Sequence, residues 1–133
     1  MKRITWMKLS LDIFENQKIE YLGLLPNGDK YFKIWIQLMV IAGKSNNHGK
    51  LTIAQDLNYT PEILAQKLNH PIKVMNQALA EFTKLKMIEI DQGVIRLANW
   101  EKYQSSVKME VIREYNREAK QKQRALEKQA KVS

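Results

Sequence analysis

Polar side chains at helical spacing between residues 73 and 84 are the candidate binding residues of this 133-residue chain. They occupy the face opposite an apolar stripe. That face consists of Lys73, Asn76, Gln77, Ala80 and Lys84. The amide of Asn or Gln can form two hydrogen bonds with adenine, and Lys can bond guanine or a phosphate. The pattern therefore predicts a DNA-binding helix face, and the alternative is an ordinary solvated face.

Basic residues on neighbouring segments are candidates for phosphate contacts beside this face. Lys67 precedes it, Lys84 lies at its end, and Arg96 follows in a predicted hairpin. Glu81 would repel phosphate, so we expect base contacts in the N-terminal half of the helix. Nearer the C-terminus, residues of a basic stretch that runs to Lys128 would add non-specific attraction: Arg113, Arg117, Lys120, Lys122 and Arg124.

Two proline-started helices, over 61–68 and 71–86, are predicted to position these residues. Thr60 can N-cap the first helix, and Asn69 or His70 can N-cap the second. The second helix has apolar residues at i, i+3, i+7 and i+10, which are Ile72, Met75, Leu79 and Phe82. This stripe predicts a face that is buried in the core.

A small antiparallel sheet completes the predicted arrangement. Strands are expected over 87–91 and 94–98, joined by a turn at Asp91-Gln92-Gly93, with a third strand over 49–53. Helix, turn, helix and hairpin in this order outline a winged helix-turn-helix, whose second helix enters the DNA major groove. We therefore predict a mainly α fold with a small antiparallel sheet, built as a winged helix-turn-helix.

The remaining segments extend this predicted core at both ends. A short strand over 4–9 and helices near 11–24 and 30–44 come before the sheet, and a C-terminal helix comes after it. Along that last helix the apolar spacing fades and basic residues accumulate. We expect a winged-helix domain over 1–104 and a basic helical extension or linker over 105–133.

Composition narrows the classes of protein to which the chain can belong. Its 22 basic and 14 acidic residues give a net charge of +8, which suits a polyanionic partner. The absence of cysteine excludes disulfides and thiolate metal sites and favours a cytoplasmic location. No apolar run approaches the roughly 18 residues of a membrane span, and the N-terminus lacks a signal-peptide pattern.

Sequence motifs for catalysis are also missing. No Ser, Lys or acidic residue has a recognisable nucleophile setting, and His48 and His70 have no ligand partners at metal-binding spacing. We therefore predict neither an enzyme nor a metal or other cofactor.

Several short segments, taken in order, resemble the N-terminal domain of phage replisome organisers, a domain similar in architecture to that of DnaD-type primosome proteins. The resemblance runs from about Ile4 to Arg117. The segments are Trp6-Met7-Lys8-Leu9, Asp12-Ile13-Phe14, Ile34-Trp35-Ile36, Ala42-Gly43-Lys44, Asn47-His48-Gly49, Tyr59-Thr60-Pro61-Glu62, Met87-Ile88-Glu89-Ile90 and Asn99-Trp100-Glu101-Lys102-Tyr103-Gln104.

This resemblance implies a winged-helix fold, duplex DNA of a phage or prophage origin as partner, and a role in starting replication. Members of the family usually continue into a second domain thought to engage single-stranded DNA or the helicase-loading machinery. The resemblance therefore implies that this chain is an N-terminal piece ending in a basic linker. Contact with host helicase-loading proteins would then belong to a region beyond residue 133.

Two further hypotheses remain open at this point. In DnaD-like proteins a winged-helix domain can serve as an oligomerisation module, and here the strand over 4–9 and the helix after Trp100 could pair between subunits. We therefore expect a homo-oligomer, with or without DNA binding. A winged-helix transcriptional regulator ranks lower, because nothing in the sequence indicates an effector pocket.

Overall fold

The computed structural model describes residues 5–7 and 9–132, with side chains for 5–7, 9–100 and 113–129. A 3₁₀ turn at Ile13–Glu15 precedes the first of five α-helices. In chain order the remaining elements are α1 (Gln17–Leu24), α2 (Gly28–Ser45), β1 (Thr52–Ala54), β2 (Leu57–Asn58), α3 (Pro61–Leu68), α4 (Ile72–Lys84), β3 (Ile88–Asp91), β4 (Val94–Leu97) and α5 (Trp100–Val132). The predicted mainly α fold is confirmed, and its two small antiparallel sheets are consistent with a winged-helix-like arrangement.

Internal contacts divide the chain into two units, one of which spans Met7–Glu101 and contains the sheets and the first four helices. The other consists mainly of α5 from Lys102 onward. The side chains described along α5, residues 113–129, are all exposed.

The helix pair α3 and α4 forms through local capping. Thr60 starts α3 as predicted, because its Oγ1 accepts a hydrogen bond from the Ile63 amide at 3.2 Å. Asn69 was predicted as an N-cap of the second helix and is instead the residue that ends α3, with a left-handed φ of 60°. The His70 amide then donates to the Ala65 carbonyl at 2.9 Å, which satisfies a helix-end acceptor. Neither Asn69 nor His70 caps α4, since Pro71 holds that position without a side-chain hydrogen bond.

Packing of α4 on α2 forms the centre of the core. The predicted stripe of α4 is buried at Met75, Leu79 and Phe82, whereas Ile72 is 43% exposed because it lies at the helix start. The rings of Trp35 and Phe82 are 5.4 Å apart and join the two helices. Four hydrophobic residues of the first two helices have no exposed surface, and they are Leu22, Ile34, Leu38 and Ala42.

The predicted hairpin is confirmed as strands β3 and β4. They pair antiparallel from Ile88 opposite Leu97 to Asp91 opposite Val94. Both residues of the intervening turn have positive φ, 50° at Gln92 and 79° at Gly93, as a two-residue type I′ turn requires.

The third predicted strand, over 49–53, is only partly correct. It bonds to β4 as expected, since the Leu51 amide donates to the Ile95 carbonyl and the Leu97 amide to the Gly49 carbonyl, both at 2.9 Å. The regular strand β1 starts three residues after Gly49, however, and pairs with β2 instead. The sequence analysis missed β2 because a two-residue strand leaves no alternation to detect.

The N-terminal predictions need correction as well. No strand includes residues 5–7 or 9, and the rest of the predicted 4–9 strand lies outside the described residues. The single helix predicted near 11–24 is a 3₁₀ turn and α1, separated at Asn16. The Asn16 side chain accepts from the Lys18 amide at 2.9 Å and the Ile19 amide at 3.3 Å, so it starts a new helix at this point.

Candidate nucleic-acid interface

The outer face of α4 carries four of the predicted binding residues. Packing buries Ala78 and Leu79 toward the core, and this turns the opposite side of the helix to solvent. All four side chains on that side are exposed, and they are Lys73, Asn76, Gln77 and Lys84. Lys67 on α3 and Arg96 on β4 are exposed too, but they lie on other elements.

Two residues of this face are held by neighbouring helices. The buried Tyr31 hydroxyl of α2 donates to Gln77 Oε1 at 3.4 Å, which leaves the amide N–H groups of Gln77 to point elsewhere. Lys84 Nζ donates to the Tyr21 hydroxyl at 3.2 Å and lies 5.5 Å from the centre of that ring. This hydrogen bond raises the pKa of Lys84 and keeps its ammonium beside α1.

The predicted phosphate contacts on the other elements also have internal partners. Lys67 Nζ lies 5.7 Å from the centre of the Tyr59 ring, a cation–π contact. Arg96 forms an ion pair with Glu89 on the adjacent strand, in which both side chains are about half exposed. With the exposed Asp91 at the turn, the hairpin presents two carboxylates beside its one arginine.

Lys73 and Asn76 differ from these residues. Their side chains form no hydrogen bond or ion pair with the side chains that the structure describes. Both lie in the first two turns of α4, and the first turn contains no acidic residue. Glu81 lies farther along α4, with one carboxylate oxygen buried and without a hydrogen bond in the described residues. The N-terminal half of α4 is therefore the part best prepared for an external anionic partner.

A basic cluster that was not predicted from the sequence lies beside the α3–α4 turn. His70 Nε2 and Gln37 Oε1 of α2 are 2.9 Å apart, which holds the ring against the face of α2 that also carries Lys30 and Lys33. Burial lowers the pKa of His70, and the positive charges of Lys33 and then Lys30 lower it further. The spacing of these residues indicates one polar face of α2, but only the tertiary fold brings that face to His70.

On α5 the predicted basic residues fall into two groups. Four recur at i, i+4, i+7 and i+11, which places them along one side of the helix as a basic stripe: Arg113, Arg117, Lys120 and Arg124. Lys122 lies about 200° around the helix from Lys120 and is outside the stripe. All five side chains are exposed.

The described residues also include a cleft whose lining contains no residue of α4. This open polar cleft of about 390 Å³ lies near the end of α2 and has Lys44 and Lys67 in its lining. The hydroxyl of Ser45 in this cleft lies within donating distance of the Ile41 and Thr52 carbonyls, at 2.8 and 2.9 Å, and accepts from the Thr52 amide at 3.2 Å. Among the described residues, no three His, Cys, Asp or Glu side chains are grouped to hold a metal ion. No helix in that part of the chain has the length and apolarity needed to cross a bilayer.

Fold and surface together define a mainly helical domain with a helix–turn–helix pair, a β-hairpin and an exposed polar face on the second helix of the pair. The chain belongs to the N-terminal phage replisome organiser family, whose profile matches residues 6–125. This confirms the predicted family and suggests a role in the initiation of phage DNA replication. No curated protein and no solved structure is significantly similar to the chain.

The lowered pKa of His70 predicts a pH-dependent stability. The unfolded chain binds a proton near the ordinary pKa of 6.5, while the folded chain binds it only at lower pH. The contribution to the free energy of unfolding is therefore fully present above pH 6.5 and is lost as the pH falls toward the folded pKa. Urea unfolding between about pH 8 and about pH 5 should show this loss.

A His70→Gln variant should lose part of this pH dependence, since glutamine does not titrate and can still bond Gln37. Lys33→Gln should reduce the dependence as well, because it removes a positive charge that opposes protonation. An unchanged pH profile in both variants would show that the ring of His70 is not the responsible group.

Proposed function

We propose that the chain binds duplex DNA at a phage origin through the N-terminal half of α4, and that this contact is its part in replication initiation. The observation that carries the proposal is the pair of exposed side chains Lys73 and Asn76 on the second helix of a helix–turn–helix pair, which have no hydrogen-bond or ion-pair partner among the described side chains. An asparagine amide can read adenine with both of its polar atoms, and a lysine can bond guanine or phosphate. The family is one of organisers of replication, and no catalytic role is proposed.

The distribution of charge also favours a DNA contact at the N-terminal half of α4. The helix dipole places partial positive charge at the start of α4, where Lys73 lies and acidic residues are absent from the first turn. Carboxylates accumulate elsewhere, at Glu81 in the second half of the helix and at Glu89 and Asp91 on the hairpin. A DNA backbone would meet the least repulsion at the beginning of α4.

The other predicted contact residues are less available to DNA than Lys73 and Asn76, because their side chains have partners within the chain. To bind phosphate, Arg96 would have to leave Glu89, and Lys84 would have to leave Tyr21. Lys67 keeps an exposed ammonium over the Tyr59 ring and remains a flanking phosphate contact in the proposal. Gln77 presents its amide N–H groups, which suits an acceptor on a base or a phosphate.

Substitutions in α4 should separate base reading from phosphate contact. Asn76→Ala should weaken binding to an origin-region duplex by roughly 1–3 kcal/mol and leave binding to a random duplex unchanged, because a base contact is lost. Lys73→Gln should weaken binding to both duplexes and lower the salt slope by about 1, if one counterion fewer is released. Fluorescence anisotropy over a salt series measures both effects.

Two substitutions on α1 serve as controls for this experiment. Gln17→Ala and Lys18→Gln make comparable changes at exposed positions and should leave affinity for both duplexes close to that of the wild type. If Asn76→Ala and Lys73→Gln behave like these controls, α4 is a structural helix only and the proposed interface is wrong.

The basic stripe of α5 supports a second, sequence-independent contact with the DNA backbone. Arg117→Gln with Lys120→Gln should lower the salt slope by about 2, whereas Lys122→Gln should lower it by clearly less than 1 because its side chain points away from the stripe. The three substitutions are compared on a random duplex. Losses that simply follow the number of charges removed would show a diffuse electrostatic attraction with no preferred face.

Self-association is a second candidate function, favoured by one observation. Four large apolar side chains between residues 9 and 24 are strongly exposed, with exposed fractions of 54%, 101%, 70% and 84% at Leu9, Leu11, Phe14 and Leu24 respectively. Contiguous apolar patches on a surface mark protein–protein contact sites, and we propose that these four side chains contribute to one. A homo-oligomer would cover them, and it would need no N-terminal strand.

Removal of this apolar surface should dissociate the oligomer. Leu11→Ser with Leu24→Ser should reduce the mass measured by light scattering from that of a dimer or larger species to that of a monomer. The reason is that burial of these apolar side chains would drive association, and the variant lacks them. Ile90→Ser changes an apolar side chain on β3 that is 48% exposed and should leave the mass unchanged. A wild-type chain that remains monomeric at high concentration would contradict this function.

A further inference from the structure

We propose that the N-terminal end of α2 is a phosphate-binding clamp, in which Lys30 and Lys33 hold the DNA backbone beside the α3–α4 turn. The clamp deepens the proposed function and rests on it, because it adds a backbone contact to the helix face that reads DNA. It involves residues of a helix outside the helix–turn–helix pair.

The first support is the placement of the lysines. Gln37 follows Lys30 and Lys33 at i+7 and i+4, so the three share one face of α2. The hydrogen bond between Gln37 and His70 places this face against the turn that precedes α4. Both lysines are exposed and form no ion pair with the described side chains, which leaves their charges available to an anion.

The second support is the sign of the local charge. Two ammonium groups act on the His70 ring, and both oppose its protonation. The neighbouring start of α4 has no side-chain cap and no acidic residue in its first turn. Asp29 lies in the first turn of α2, but among the described side chains it forms no ion pair with Lys30 or Lys33, whereas Arg96 and Lys84 have internal partners. A phosphate held between the lysines would relieve this repulsion.

This arrangement makes His70 a reporter for the clamp. The charged groups that act on the ring are Lys33 and Lys30, and a phosphate bound to them would offset their effect. The pKa of His70 should then be higher in the DNA complex than in the free chain. By linkage, DNA binding should take up protons and become tighter as the pH falls through the interval between the two pKa values.

The test is an NMR titration of the full chain with and without a random-sequence duplex. The chain has two histidines, and a His48→Asn variant identifies the ring signal of His70. The expected result is an upward shift of the His70 pKa on binding. This measurement needs no change at the clamp itself, so it does not depend on how well a variant folds.

Paired substitutions provide the second part of the test. Lys30→Gln with Lys33→Gln should raise the pKa of His70 in the free chain, remove most of its further rise on DNA binding, and lower the salt slope by about 2. Lys18→Gln with Lys86→Gln removes the same net charge from exposed positions on α1 and after α4. In this control variant the salt slope of DNA binding should fall clearly less, and the titration of His70 should be unchanged.

The outcomes separate the clamp from the function on which it rests. A chain that binds duplex DNA while the His70 pKa stays constant, or while both paired variants lose the same slope, overturns the clamp alone. A chain that binds neither random nor origin-region duplex overturns the clamp and the proposed function together. An upward shift of the His70 pKa that disappears in the Lys30/Lys33 variant supports the clamp.

Discussion

The burial of one side of α4 against α2 is the constraint on which the rest of the domain depends. Phe82 has no exposed surface, and its ring meets Trp35 at 5.4 Å, so the rotation of α4 about its own axis is fixed by packing. Once that rotation is fixed, Lys73 and Asn76 must face solvent. A core contact thereby determines which side chains the domain can offer to a partner.

Charge is distributed unevenly around this scaffold, so one part of the domain surface is better suited to an anionic partner than the rest. Among the described residues, basic groups without internal partners lie in the first two turns of α2 and at the start of α4, and the carboxylates near them are Asp29 on α2 and Glu81 farther along α4. The pairing of Arg96 with Glu89 shows that a basic residue is not by itself an anion contact. In a replisome organiser domain, the proposed DNA contact is therefore centred on the helix–turn–helix and not on the hairpin.

Local signals explain what the sequence analysis predicted correctly and where it failed. Thr60 with Pro61, and the turn at Gln92-Gly93, involve residues a few positions apart, so their roles can be read from the sequence. The role of Asn69 could not be read from the sequence, because asparagine can either end one helix, here α3, or cap the start of the next, here α4. The effect of the Lys33 charge on His70 depends on tertiary structure, so no spacing along the chain could indicate it. The exposed polar face of α4 was predictable, but the bonds that hold Gln77 and Lys84 were not.

Through its hydrogen bond to Gln77, the buried residue Tyr31 affects the exposed polar face of α4. Because the Tyr31 hydroxyl donates to one lone pair of Oε1, it restricts the directions in which the amide can present its donor and acceptor together to an adenine edge. A change from Tyr31 to phenylalanine deep in the domain would release that oxygen without altering any surface residue. In the proposed DNA contact, a substitution in the core would thus change target preference while every surface residue stays the same.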